Sequence, residues 1–391
     1  MTPSPHITRV VLRNYKSISH GDVRLGSLTF LTGPNGAGKS NFLEALRFLS
    51  WALTTSLEQA IENRAGYHTI LHRPSRPRPG TPSTILFEVH LALDENAAAR
   101  YLVEIEGRGD QPVTVVKEEC TYATDGKVSS FKVARGKVFA NVPTPQAVSE
   151  EKLYLSSSLG SEFEPVYRAL SAIAVYNPLA DEIRGFKPQK RYRYLDRTAS
   201  ALAEVIFKLK KTESHRLPRV IEYLRKINPS IIGVEPVSVD DNYNLRFILD
   251  RDAGVHEEFP SQNMSDGTLK ALAVLMALFQ KQEPYPLTLI GLEEPEAGLH
   301  PAATNVLFDS LLEASTTTQV VVTSHSPDLL DRSDIPDDAL RAVAMRNGCT
   351  IIGPVNEAGR TALKEHLYTA GELLRLDQLQ PEETGQDVRG C

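Results

Sequence analysis

The apolar positions change period along the chain, and each change predicts a change of architecture. Ile7 to Leu12 and Leu28 to Thr32 are short runs rich in Val, Leu, Ile and Thr, the pattern of strands. The second runs straight into a glycine-rich turn, Gly33 to Ser40. Beyond it Phe42, Leu43, Leu46, Phe48 and Leu49 recur at near-helical spacing to about Leu53. Arg73-Pro-Ser-Arg-Pro-Arg-Pro-Gly80 is too rich in proline to hold a helix and predicts an exposed loop. From Ser83 to about Val142 the period falls to two. Phe87, Val89, Leu91 and Leu93 share one face, and the runs Tyr101–Glu106, Val113–Tyr122 and Phe131–Val142 are separated by Gly, Asp and Asn. That spacing predicts antiparallel strands, closed by a linker near Pro143-Thr-Pro145.

The stretch from Arg184 to Lys226 reads as mainly helical. It carries 13 Lys or Arg against 4 acids, a local balance of +9. Strand patterns return over Ile231 to Ile248. Then come a helix from about Gly267 to Gln280, an apolar strand Leu287–Leu292, a helix after Pro301 and a strand Gln319–Thr323. Strand and helix alternate here as in a parallel sheet with helical crossovers. No internal repeat is visible, and the polar tail from Gln380 is expected to fray.

Composition narrows the class. A chain of 391 residues has room for two domains, or for one large α/β domain with an insertion. With 41% hydrophobic and 24% charged residues it is neither collagen-like, nor low-complexity, nor wholly disordered. The longest apolar run, Ala271–Phe279, falls well short of the roughly 18 residues of a membrane helix, and residues 1–6 show no secretory pattern. Cys120, Cys349 and Cys391 lie far apart without a CxxC pair, which argues against a disulfide framework or zinc site and fits a reducing cytoplasm. The net charge of −6 means that any nucleic-acid contact must be local.

The chemistry begins at Gly33-x-x-x-x-Gly38-Lys39-Ser40, a complete P-loop between strand and helix. Its glycines let backbone N–H groups turn around phosphates, and the following helix points its positive end at them. Lys39 would reach the β and γ phosphates, and the Ser40 hydroxyl would bind Mg²⁺. Such a site also needs an acid for the metal and a group to aim water. The strand Leu287–Leu292 supplies both by ending in Glu293-Glu294: Glu293 would hold Mg²⁺ through a water, and Glu294 would polarise the attacking water. The strand Val320–Thr323 ends in Ser324-His325-Ser326; a lone histidine is usually structural or merely exposed, but at a strand end beside a phosphate site His325 could instead sense the γ-phosphate. Met264-Ser265-Asp266-Gly267-Thr268 opens the helix at 267–280. On residue types alone it is an N-cap, with no further function required.

Taken in order, these pieces resemble the ATPase head of the ABC superfamily in its RecF/SMC-like branch. The likeness rests on Leu12-Arg-Asn-Tyr-Lys-Ser-Ile18, Gly33–Asn41, Glu293-Glu-Pro-Glu-Ala-Gly-Leu-His-Pro301 and Thr323-Ser-His-Ser-Pro327. It is nearest to the stand-alone RecF-like or OLD-like ATPases grouped with the AAA family. The resemblance implies that Gly33, Asn35, Gly36, Gly38, Lys39, Ser40 and Asn41 bind ATP. It also implies that Ser265 and Gly267 belong to a signature motif contacting the γ-phosphate of ATP on a partner protomer, and that Ala297–His300 crosses the dimer seam. Arg13 and Lys16 would approach the nucleotide. Asp266 replaces the glycine of the transporter and SMC consensus, and Glu293 replaces the usual aspartate. No glutamine loop is assignable. Lys39 and Ser265 are 226 residues apart without sustained heptads, which excludes a long SMC-type coiled coil. Only 66 residues follow His325, too few for an appended nuclease.

The expected fold is therefore an α/β P-loop NTPase with a two-lobed ABC/RecF-like head, interrupted by a β-rich segment and a basic helical insertion. Expected boundaries are 1–95 for the first lobe, 96–180 for the β-rich segment, 181–230 for the basic insertion, 231–370 for the second lobe and 371–391 for the tail. The expected activity is Mg²⁺-dependent ATP hydrolysis in an ATP-bridged homodimer serving DNA repair or phage defence. DNA would run along 184–226 through Lys190, Arg191 and Arg193, with Arg73, Arg76 and Arg78 as weaker candidates. The alternative for that stretch is a solvated helical face. The alternatives for the whole are a regulatory subunit docking a separate effector, such as a nuclease, and a small-molecule P-loop kinase.

Overall fold

A computed structural model describes residues 5–73, 84–107, 112–143, 147–157, 159–189, 195–212, 217–252, 254–280 and 286–382. Strands β1 (His6–Tyr15) and β2 (Ile18–Arg24) form a hairpin, and β3 (Leu28–Thr32) follows. Strands β4 (Thr84–Ala92), β5 (Ala97–Glu106), β6 (Thr114–Thr124), β7 (Lys127–Ala134) and β8 (Lys137–Ala140) extend the hairpin into a seven-stranded antiparallel sheet. Its order is β2-β1-β4-β5-β6-β7-β8. Strict alternation of buried and half-buried residues along β4 reflects one face packed on a core. The run expected over Phe131–Val142 divides at Arg135-Gly136, both at positive φ, which turns β7 back into β8.

After β9 (Ile173–Tyr176) and β10 (Lys187–Pro188), strands β11 (Ile231–Val239), β12 (Asn242–Asp252) and β13 (Val255–Pro260) build a small sheet in which β12 pairs with β10, β11 and β13. Strands β14 (Leu289–Glu293), β15 (Gln319–Ser324), β16 (Leu340–Arg346) and β17 (Cys349–Gly353) complete a six-stranded sheet, ordered β17-β16-β3-β15-β14-β9. All its pairings are parallel except that of β16 with β17.

Both faces of this parallel sheet are buried, so its strands are continuously apolar instead of alternating. Phe30, Leu292, Val320 and Val322 face a core shared with the helices Leu202–Thr212, Leu217–Ile227, Asp266–Phe279 and Pro301–Ser315. Leu31, Leu289, Val321 and Val343 face the opposite core, shared with the helix Lys39–Thr54 and the antiparallel sheet. The helix Lys39–Thr54 is therefore clamped between two sheets. The helix Asp266–Phe279 is buried around nearly its whole circumference, which accounts for its unbroken apolar run.

Cys349 is disulfide-bonded, contrary to the expectation from cysteine spacing, which carries no information about distance in the fold. Cys120 is a free, buried thiol. Among the described residues no helix is long and apolar enough to cross a membrane.

Candidate functional site

Three parallel neighbours, β3, β15 and β14, deliver their carboxyl ends to one edge of the sheet. Register aligns Thr32 with Ser324 and Thr323 with Glu293. Ligands of open α/β sheets bind at that edge, and the P-loop, the acid pair and His325 all emerge there.

The P-loop is held from behind and open in front. A Cβ on Gly33 would lie 2.0 Å from the Val343 carbonyl oxygen, and one on Gly38 would lie 1.9 Å from Thr350 Oγ1. Gly36, at φ +78°, would meet nothing within 4 Å, and Asn35 and Ser40 are exposed beside it. Gly38 caps the helix Lys39–Thr54 in a left-handed conformation. Thr350 Oγ1 donates to Ala37 O at 2.8 Å and lies 2.6 Å from Ser17 Oγ, which also accepts from Asn41 Nδ2 at 2.6 Å. Asn41 thus braces the loop from its rear. Lys39 is buried and folds back on the loop, donating from Nζ to Gly33 O at 2.8 Å and Pro34 O at 2.9 Å. Burial lowers its pKa, and the Glu294 and Glu296 carboxylates oppose that shift.

Glu293 ends β14 almost buried, and its Oε1 accepts from Arg197 Nη2 at 2.7 Å. Glu294 takes φ +45°, a left-handed conformation costing a non-glycine residue about 1–2 kcal/mol. Its N–H donates to Thr323 O at 3.0 Å, which turns the half-exposed side chain off the strand end. His325 Nδ1 lies 3.1 Å from Glu294 Oε1, at an angle that leaves Nδ1 without a hydrogen bond. Strain of this kind concentrates at functional sites.

Sequence reasoning missed several groups at this edge. Glu296 is buried, and burial raises its pKa against the opposing Ser324 hydrogen bond. Ser324 Oγ donates to Glu296 Oε1 and accepts from Ser326 N at 3.0 Å, so Glu296 shapes the turn that carries His325. Glu296 Oε2 is buried without a partner. Strand β9 pairs Tyr176 with Leu292, which brings Asn177 to the level of Glu293. Arg13 is exposed on β1, whereas half-buried Lys16 has its pKa lowered by burial, opposed by Glu44. Nothing in residue type or spacing marks Asn177, Arg197 or Glu296; strand order and burial do.

Ser265 caps its helix, its Oγ accepting from Thr268 N at 3.3 Å, as the sequence predicts. Both Ser265 and Asp266 are exposed. Arg184 holds Asp266 in an ion pair and donates to Met264 O at 3.1 Å. A Cβ on Gly267 would lie 2.3 Å from Gly298 O, so the helix start packs directly on the loop after the acid pair. Among the described residues no hydrogen bond or ion pair joins Ser265 or Gly267 to residues 33–41.

The donor set suits Mg²⁺: the Ser40 hydroxyl and the Glu293 carboxylate are hard oxygens, and the crest at Gly36 leaves room for phosphates. No cluster of three His, Cys, Asp or Glu side chains able to hold a metal occurs among the described residues.

A family model described as AAA domain, putative AbiEii toxin, type IV TA system matches residues 28–128 and 149–331. No curated protein sequence matches the chain significantly. Among solved structures, an SMC head bound to the C-terminal winged-helix domain of ScpA is 16% identical, with TM-score 0.52, over 91% of this chain and 99% of that one. The SMC head of Pyrococcus furiosus, with an extended coiled coil and bound to the C-terminal domain of ScpA, is 14% identical, with TM-score 0.53, over 93% and 99%. These likenesses show the fold, that of an SMC-head P-loop NTPase. With the family match covering most of its length, the chain belongs to that AAA-domain family.

Proposed function

We propose that the protein is an ATP-hydrolysing switch whose heads close in pairs on shared ATP. The observation that carries this reading is the exposed helix start at Ser265, which is unconnected to the chain's own P-loop and so is free to meet phosphates on a second copy. A single P-loop fold has no need of it.

In this reading backbone N–H groups of Gly36 to Lys39 cradle the phosphates, and the Lys39 ammonium leaves Gly33 O and Pro34 O for the β and γ oxygens. Ser40 and Glu293 would hold Mg²⁺, which when bound neutralises charge developing on the phosphates. Glu294 Oε1 accepts the proton of the attacking water, and His325, fixed by the Ser324–Glu296 turn, hydrogen-bonds the γ-phosphate. Ser265 Oγ and the helix start at Gly267 complete the partner's site. The test is phosphate release: Lys39→Ala and Glu294→Gln abolish it if the assignment holds, and unchanged rates would sink it.

For the output of the switch, the ion pairs count against DNA binding along much of the basic stretch, which leaves effector docking as the other reading. In the basic stretch Arg184, Lys208, Lys210, Arg219 and Lys226 are each paired with acids. The DNA reading then rests on exposed Lys211 and Arg225, which form no ion pair among the described residues, and on Lys190, Arg191 and Arg193, which lie outside them, as do Arg76 and Arg78 of the weaker loop. DNA affinity that falls steeply with salt and vanishes on charge reversal at 190, 191 and 193 would restore it. Binding to a separate effector only in the ATP state would support docking.

A further inference from the structure

We propose that Arg197 is a stand-in cation on Glu293, neutralising the acid while the site holds no metal and releasing it when Mg²⁺-nucleotide binds. The inference rests on the reading of Glu293 as the metal acid. Its basis is the contrast between the two partners. Glu293 is fixed at the end of a central strand with its side chain 9% exposed, whereas the Arg197 side chain is 40% exposed. The acid stays and the cation can leave.

The backbone beneath Arg197 is rigid. Asp196 accepts from Ala201 N, Ser200 Oγ and Thr198 Oγ1, all at 2.9 Å. Arg197 O accepts from Asn177 N at 2.8 Å, and Thr198 O accepts from Leu179 N at 3.1 Å. Release therefore needs only side-chain rotation. Lys16 and Arg47 lie close enough to feel the Arg197 charge, a repulsion partly offset by Glu44, which pairs with Arg47 and Arg64; among the described residues the acid that pairs with Arg197 is Glu293. A metal competing for that carboxylate removes the attraction and leaves the repulsion.

The consequence is a coupling between metal and nucleotide. Without metal, ATP meets a neutralised acid; with Arg197 gone it would meet a bare carboxylate, and with metal present the same loss would free Glu293 entirely for the ion. Both effects enlarge the gain in ATP affinity that Mg²⁺ confers. The experiment is fluorescence titration of mant-ATP in EDTA and in excess Mg²⁺. Arg197→Gln should raise the ratio of the two affinities by about two- to fivefold, the size expected of a half-exposed ion pair, and Arg197→Lys should keep the wild-type ratio. Arg197→Met replaces the glutamine variant if that one does not fold by circular dichroism. An unchanged ratio, or equal losses in both buffers, would overturn the proposal, the latter by making Arg197 a phosphate contact. Glu293→Gln separates the two ideas. If it too leaves the ratio unchanged, Glu293 is not the metal acid. If it changes the ratio while Arg197→Gln does not, only the role of Arg197 fails.

Discussion

Gly33 and Gly36 belong to one motif but should fail in different ways when changed to alanine. At Gly33 the added Cβ lies 2.0 Å from Val343 O, about 1 Å inside the 3.0 Å that real Cβ contacts respect. Val343 is strand backbone in β16, which pairs with β3 up to Ala342 and Thr32, so neither side can yield without separating two strands of the central sheet. Overpacking of this kind costs about 1–3 kcal/mol, and the absence of a flexible neighbour puts Gly33→Ala at the upper end. At Gly36 the Cβ meets nothing, and the cost is the left-handed φ of +78°, about 1–2 kcal/mol. The space that the Gly36 methyl would fill is the space assigned to phosphate. Urea unfolding and mant-ATP titration of both variants give the test. Gly33→Ala should lose the more stability, while Gly36→Ala should stay folded and lose nucleotide affinity. Wild-type stability for Gly33→Ala, or wild-type affinity for Gly36→Ala, would refute the division of roles.

Two further outcomes follow from other parts of the fold. Glu118 is fully buried, accepting from Tyr154 N at 2.6 Å, Leu155 N at 2.8 Å and Tyr101 Oη at 2.9 Å, yet burial outweighs these bonds and raises its pKa from 4.5 to about 7. An acid whose pKa is raised on folding stabilises the fold below its unfolded pKa, and that contribution is lost as pH climbs through the folded value. Stability should thus fall between pH 4.5 and about 7 by on the order of 3 kcal/mol from this group. Glu118→Gln, which cannot titrate, should flatten that slope in urea midpoints; parallel pH profiles for the two proteins would contradict it. Gly267→Ala, whose Cβ would meet Gly298 O at 2.3 Å, should push the Ser265 helix start off the 297–300 loop. ATP-dependent self-association should then weaken while mant-ATP affinity stays near wild type, and the reverse pattern would count against a role in trans.

What was legible in the chain was local. The P-loop, the paired acids after an apolar run and the serine cap before Gly267 announce themselves within a few residues, because a tight turn, a buried strand and a helix start each demand particular residue types. Strand β9 escaped notice: four residues directly after the helix Glu164–Ser171, within a stretch expected to be part of the β-rich segment, carry no period. Its place beside β14 is a matter of strand order, and with it goes the position of Asn177. Strands β16 and β17 were likewise unread, although Thr350 at the second of them braces Ala37 from 313 residues away. Arg197 meets Glu293 across 96 residues, and the burial that sets Glu296 apart from Glu294 is not marked by residue type. No spacing rule reaches such pairs.

The central claim, that two copies share their ATP sites, is tested most directly by the solution mass of Glu294→Gln with and without Mg²⁺-ATP, by size-exclusion chromatography with light scattering. Loss of the carboxylate proposed to activate water should trap the closed state, so the account predicts a monomer that becomes a dimer only when ATP is present. A mass indifferent to ATP, in protein shown by mant-ATP to bind it, would contradict the account.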